Sequence, residues 1–438
     1  MTAPRVPAGL GLDDELGRKL KFTFLALLIY RIGAHIAAPG VNVSALADYI
    51  RNSGAAGLFG LYDTLGGGLS RATVFALGIM PYISASIIFQ LAGGIVPSIG
   101  KMQKDEEGRK KITQWTRYAT VLIAISQAWT YALFTESIPG AVPNAGFASR
   151  LVIVLTLTAG AIFVMWLGEQ ITERGIGNGM SLLIAFSILE QLWPGTLNLA
   201  QYVRSDVVSP LGAVTFLAVL TLAVAAVVAM TIAARRIPIQ IPRKVMGRGR
   251  IREGQKTFIP IRLITAGVMP IIFAQTIIIV PGTLASFTQN PTLTEIANVF
   301  TPGDWAYNIL FALMIVVFTY FYTSIIFNSV DIAENLKKQG GFIPGVKPGA
   351  ATADYIDGVL ARVTLPGALF LAAISLLPII VTARLGIQAQ WGGTSVLIVV
   401  GVLLDTIAQV EQHRVLRKYD SFMKTGRVKF RGRQQRYM

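Results

Sequence analysis

Cysteine is absent from this 438-residue chain, histidine occurs twice, and charged residues make up only 14% of it. Without cysteine there is no disulfide framework, no thiolate metal site and no cysteine nucleophile. The two histidines, His35 and His413, stand far apart in sequence. Also missing are a G-x-x-x-x-G-K-[ST] phosphate loop, an H-E-x-x-H zinc motif and a G-x-S-x-G nucleophile elbow, so any driving energy must come from a partner or a gradient. The scarcity of charge excludes an ordinary soluble domain, which carries about 25% charged residues.

What is present is apolar. Hydrophobic residues make up 53% of the chain, and the mean hydropathy is +0.58. They come in blocks of about twenty, the length at which a helix crosses the ~30 Å hydrocarbon core. The expected fold class is an all-α polytopic membrane protein. Apolar runs read against charged breaks give ten expected spans: Phe22–Ala38, Thr73–Val96, Tyr118–Phe134, Leu151–Leu167, Met180–Leu192, Leu211–Ala233, Leu263–Val280, Ile309–Phe327, Val363–Val381 and Val396–Val410. The first follows Arg18, Lys19 and Lys21 and could be taken for a signal peptide. Pro39 after Ala38 disfavours cleavage there, and it is read as a retained span.

The formal net charge is +16, and the excess lies in alternate loops. The N-terminus, the loop with Lys101, Lys104, Arg109, Lys110 and Lys111, the loops at 235–262 and 329–362, and the tail are basic; 139–148 and 281–304 contain almost no Lys or Arg. Positive charge stays cytoplasmic, and all basic loops share a side only if the short run Met180–Leu192 crosses. Ten crossings with both termini cytoplasmic is the consistent topology. Five spans fall in 1–193 and five in 194–412, followed by a tail at 413–438; an odd number per half gives the halves opposite orientations, as in inverted-repeat architectures.

Four segments carry chemistry. Arg31 and Asp405 are the ionisable residues noted inside expected spans, and such residues mark either ion relays or a structural polar contact between helices. Leu58, Phe59, Leu61, Tyr62 and Leu65 precede Gly66, Gly67 and Gly68; this run is too short to cross. It reads either as a re-entrant segment on a glycine hinge, tolerated beside a watery cavity, or as an external loop. In the loop at 235–262, Ile237, Ile239 and Ile241 alternate with smaller or polar residues, which predicts a strand entering a projecting hairpin. Its Arg235, Arg236, Arg243, Lys244, Arg248, Arg250, Arg252 and Lys256 suit phosphate-rich RNA or an acidic protein surface. The tail, with Arg414, Arg417, Lys418, Lys424, Arg427, Lys429, Arg431, Arg433 and Arg436, suits anionic lipid.

Longer matches then identify a resemblance. ALGIMPYISASII at 76–88, WLGEQITERGIGNG at 166–179, AENLKKQGGFIPG at 333–345 and GGTS at 392–395 closely resemble, in order, the signatures of the SecY family of channel-forming translocase subunits. That resemblance implies two pseudo-symmetric inverted five-helix halves around an hourglass pore, with a short re-entrant plug helix at about 58–65. It implies a constriction ring at Ile79, Ile83, Met180, Ile184, Ile272 and Ile398. Such a ring dewets and resists ions when closed, yet grips an extended chain of any sequence. Met180 departs from the usual β-branched residue and is more pliable.

The resemblance also implies a lateral gate between the second and third spans and the seventh and eighth, with Ser84, Ser86, Gln90, Gln127, Gln275 and Thr276 as polar residues on those spans. The basic loops, joined by Lys337, Lys338, Lys347 and Arg362, resemble those that dock the ribosome and the SecA motor. Lys347 stands where the family usually has arginine, which keeps the charge and loses the bidentate fork. Implied partners are the small subunits SecE and SecG, SecA, the ribosome, an unfolded preprotein with its signal sequence, and anionic lipids; no cofactor is implied. Two other readings compete: an inverted-repeat secondary transporter of a small solute, and an intramembrane enzyme. The first wants a polar midplane site, and no Ser/Lys, paired-aspartate or HExxH constellation supports the second.

Overall fold

Capping side chains and prolines set where the helices begin. Asp105, Asn178, Ser209 and Asn328 each accept a backbone N–H from the first turn that follows, satisfying donors that a helix start leaves orphaned. Pro81, Pro97 and Pro210 sit in first turns, where a missing N–H costs nothing.

The computed structural model describes residues 14–52, 62–63, 67–240, 245–246, 250–251, 256–264, 267–288, 305–385 and 393–425. Its helices are α1 (Asp14–Gly33), α2 (Val43–Asn52), α3 (Met80–Ile95), α4 (Pro97–Lys104), α5 (Glu106–Ser137), α6 (Phe147–Arg174), α7 (Gly179–Arg204), α8 (Pro210–Ile232), α9 (Met269–Thr288), α10 (Trp305–Ile326), α11 (Ser329–Lys338), α12 (Ala350–Leu385) and α13 (Gly393–Thr425), with a short 3-10 turn at Leu69–Arg71. Between α8 and α9 lie strands β1 (Ala234–Gln240), β2 (Val245–Met246), β3 (Arg250–Ile251) and β4 (Lys256–Arg262).

Every expected span falls on a helix: α1, α3, α5, α6, α7, α8, α9, α10, α12 and α13 in turn. By length and composition, six of the described helices can cross a membrane, or seven if α3 and α4, bent by 113° at their break, count as one. The others are diluted by charge or shortened. Helix α1 carries Arg18, Lys19, Lys21 and Arg31, α5 begins in the basic segment around Arg109–Lys111, and the apolar helical stretch of α9 is Met269–Ile279.

Several boundaries differ from the sequence reading, α9 for one starting at Met269 and not at Leu263. Helix α7 runs on to Arg204 instead of stopping at Leu192 and carries Pro194 inside it; the apolar run was only its first half. Helix α1 ends at Gly33. Helix α3 starts at Met80 and not at Thr73, because 36–38 and 72–74 hydrogen-bond to each other: Val74 N–H donates to the Ile36 carbonyl at 2.8 Å and Ala38 N–H to the Ala72 carbonyl at 2.7 Å. Backbone satisfied by a neighbouring strand-like segment has no need of a helix.

Packing gathers α1, α3, α5, α6 and α7 into one group and α8, α9, α10, α12 and α13 into another. The groups meet along two seams, α3 and α5 against α9, and α7 against α8 and α13. A single apolar cluster runs through both. Outside it, β1 and β4 form the expected antiparallel hairpin, with Ile237 opposite Ile259 and Ile239 opposite Thr257.

Alternation along β1 buries Ile237 and Ile239 and exposes Arg235 and Arg236, as a half-buried strand requires. The buried face packs with Ile261, Leu336, Ile343, Ile356 and Leu360 in a second small core. Gln240 and Phe342 exchange backbone bonds of 2.9 and 3.0 Å. The two basic loops are therefore one folded unit. Replacing Ile239 by Ala should loosen it by roughly 2–5 kcal/mol, seen as faster amide exchange in both β1 and α11, whereas the exposed Arg235→Ala should leave that exchange unchanged. Faster exchange confined to β1 would show that the loops fold separately.

Candidate functional site

The six positions expected in a ring come from four helices. Ile79 caps α3 and Ile83 follows one turn later; Met180 and Ile184 stand one turn apart at the start of α7; Ile272 is in α9 and Ile398 in α13. Ile79, Ile83, Ile184, Ile272 and Ile398 are buried, Met180 is half-buried, and all belong to the central apolar cluster. None points outward. By contrast Ile88, on the same helix as Ile83, is 55% exposed.

Met180 has its own accommodation. A Cβ on Gly168 would lie 2.4 Å from the Met180 sulfur, so the α6 glycine leaves the room that the longer side chain fills. Ile83, Met180, Ile184 and Ile272 also line a cavity of about 350 Å³ between the two helix groups. Its other wall is polar: Gln90 and Ser86 on α3, Asn178 and Ser181 at the start of α7, and the ion pair Arg117–Glu169, 2.8 Å apart, between α5 and α6. Apolar and polar side chains thus share the lining of one cavity.

The polar residues expected at a gate lie on α3, α5 and α9, which pack on one another. Gln90 donates to Ser86 Oγ at 2.8 Å, and its carbonyl oxygen accepts the Tyr322 hydroxyl of α10. That bond bridges the first seam, and the Tyr322 ring meets Phe273 edge-on with centroids 4.8 Å apart. Sequence reading passed over Tyr322 and its bond to Gln90; α10 also carries Tyr307, Phe311, Phe318, Tyr320 and Phe321, and spacing singles out none of them. Thr276 donates to the Ile272 carbonyl at 2.7 Å. Ser84 Oγ, Gln127 Oε1 and both amide atoms of Gln275 are buried with no hydrogen-bond partner among the described residues. Gln275 is 1% exposed, and a buried amide left without partners costs about 1–3 kcal/mol per lost partner.

Of the glycine-hinged segment, Leu58, Phe59, Leu61, Leu65 and Gly66 lie outside the described residues. Tyr62 and Asp63 form a helical turn, both buried, against Gly67 and Gly68. Arg31 does not pair with Asp405. It forms an ion pair with Glu190 of α7, which also faces Arg71 at 3.4 Å and His35 at 3.8 Å. Glu190 lies inside the expected fifth span and was missed; Asp405 instead borders two cavities beside Arg262.

On the loop unit, Arg235, Arg236, Lys337, Lys338, Lys347 and Arg362 are exposed. Arg236 stacks over Phe258 at 4.8 Å, and Lys347 sits in a turn with Gly345 and Gly349 at positive φ, its carbonyl held by Thr352. Arg250 and Lys256 are on β3 and β4, and Arg243, Lys244, Arg248 and Arg252 lie outside the described residues.

Replacing Gln275 by Leu, nearly equal in volume, should stabilise the closed protein by roughly 1–3 kcal/mol, read as a higher unfolding midpoint in detergent; an unchanged or lower midpoint would mean that the amide is satisfied.

Comparison with known proteins adds the following. The sequence profile of the SecY family matches residues 73–407. The protein translocase subunit SecY of Aquifex aeolicus is 43% identical over 418 residues, covering 94% of this chain and 97% of that protein. A solved structure concerned with the SecY plug domain, described as stabilising the closed channel and maintaining a membrane seal, aligns with TM-score 0.69 and 18% identity over 96% of this chain and 97% of that one. Sec61 in a canine ribosome–channel complex from the endoplasmic reticulum aligns with TM-score 0.65 and 17% identity, again over 96% and 97%. At such identities the two structures speak for the fold alone.

Proposed function

The chain belongs to the SecY family, and on that premise we propose that it is a protein-conducting channel of the general secretory pathway, passing unfolded secretory polypeptides across the bacterial inner membrane and releasing hydrophobic segments sideways into the bilayer. One observation carries this reading most: Ile83, Met180, Ile184 and Ile272, from three helices of the two groups, line one cavity together with polar side chains. A collar of flexible apolar groups excludes water and ions at rest and makes no sequence-specific hydrogen bond to a passing backbone.

Residues 1–193 and 194–412 are the two halves, the pore lies between them, and both termini are cytoplasmic. The α3/α5–α9/α10 seam is the lateral gate. Its buried, unpartnered Ser84, Gln127 and Gln275 destabilise the closed seam and would regain partners when water or a peptide enters. The segment at about 58–65 is the plug. The fused hairpin and second loop, with cations on both, form the docking surface for the ribosome and for SecA, which supply the driving force; the chain is a passive conduit and hydrolyses no nucleotide. Lysine at 347 keeps the attraction to phosphate while giving up bidentate geometry. SecE and SecG pack on the lipid-facing helices, and the basic tail lies on anionic lipid. A small-solute transporter fits less well, because Arg31 is engaged by Glu190 and the described centre is apolar.

The test is a cross-link. A photo-reactive residue at Ile83 or Ile272 should form an adduct with a secretory chain stalled in transit, whereas one at the exposed Ile88 should couple to lipid. Absence of any adduct at the two inner positions, with the chain verifiably trapped, would falsify the conduit.

A further inference from the structure

Near the C-terminal ends of α1 and α5 lies a buried cluster that the conduit reading leaves unused. Asp63 is buried beneath it. Its carboxylate accepts the Ser70 hydroxyl and, at 3.4 Å, the Ser70 backbone N–H. The titratable groups facing it come from every element around: Tyr62 beside it, Tyr30 from α1, Tyr131 from α5 and Arg71 from the 3-10 turn. The turn is seated closely. Tyr62 donates to the Leu77 carbonyl at 3.3 Å, and Tyr131 donates to the Leu69 carbonyl at 2.8 Å. At Gly67 a Cβ would come within 2.7 Å of the Tyr62 ring and 2.8 Å of the Ala76 carbonyl.

Among the described residues Arg71 is the cation facing Asp63, and it is shared, because it also reaches Glu190 together with Arg31 and His35. Burial prevails over Arg71, the two Ser70 bonds and a further bond from the Leu69 backbone N–H, and the Asp63 carboxyl is pushed up from 3.8 to about 6. The phenols add nothing cationic; the seat suits a neutral acid better than a carboxylate.

We propose that Asp63 is a proton-binding site that governs how firmly the Tyr62–Asp63 turn is seated on residues 67–77, so that the resting seal of the channel tightens in acid. This rests on the plug reading above and adds its regulation. The direction follows from linkage. The seated state holds the proton more tightly than an unseated, solvated carboxyl does. Seating is thus strongest below the solvated value of 3.8, weakens as pH rises, and levels off above about 6, where both states are ionised. The change is about tenfold per pH unit within that window and about a hundredfold across it. On the topology proposed above, the seat faces the outside, so the seal is firmest when a leak would carry most protons.

Conductance of the full-length channel complex in planar bilayers, in symmetric buffers from pH 4 to 7.5, tests this. Resting openings should rise about tenfold per unit up to about pH 6 and then level. Asp63→Asn should be flat and, at pH 7, about a hundredfold quieter than the wild type. Ser70→Ala, which removes a bond to the carboxylate, should move the levelling-off point to higher pH, and it serves if the Asn variant fails to assemble. His35→Gln should leave the profile in place. A flat wild-type profile, a slope retained in Asp63→Asn, or a slope abolished by His35→Gln overturns the proposal. Export of a reporter by the same preparations reads the channel function separately: export without the pH profile sinks this inference alone, and loss of export in the wild type sinks the reading beneath it.

Discussion

Close approach of helix backbones is the constraint on which the rest of this structure depends. Inside a membrane there is no hydrophobic gain from bringing helices together, since lipid tails are as apolar as leucine, and association rests on dispersion contacts between surfaces that fit. Glycine supplies that fit at the decisive places. A Cβ on Gly160 of α6 would lie 2.0 Å from the Val74 carbonyl, and one on Gly179 the same distance from the Gly168 carbonyl. The first contact holds the irregular stretch before α3 against α6; the second holds α7 against α6 and so fixes Met180 and Ile184. The collar's position is a consequence of these contacts.

Given that scaffold, its polar and apolar parts divide the work. The apolar cluster is continuous across both helix groups. At the seam beside it Tyr322 of α10 donates to Gln90 of α3, and the Gln275 amide of α9 is buried with no hydrogen-bond partner among the described residues. Buried unpaired groups raise the energy of the state that buries them. The hairpin and second loop share one small core.

Much of the fold was legible in the sequence because a helix that crosses lipid must be apolar over its whole buried length. All ten expected segments are helical, and the alternation of Ile237 and Ile239 foretold the β1–β4 hairpin. The site was less so. Ile83 and Ile88 are the same residue on one helix, yet one is buried in the cluster and the other is 55% exposed; only the resemblance set Ile83 apart. Glu190 escaped notice because it lies near the end of an apolar run whose helix continues to Arg204. Tyr322 is one aromatic among several in α10. In each case the distinguishing fact is a neighbour far away in the chain.

By itself, then, the amino-acid order determined which segments are apolar enough to enter the membrane, which loops carry positive charge, and that no nucleotide or metal motif of the kinds sought is present. These are additive properties of short stretches, and the free energy of moving a stretch into lipid depends on little else. The tertiary structure decided which faces turn inward, that Arg31 meets Glu190 and not Asp405, that residues 72–79 remain irregular, and that Gln275 has no partner. Those outcomes depend on contacts between residues distant in sequence, and a pairing energy exists only once both partners have been placed.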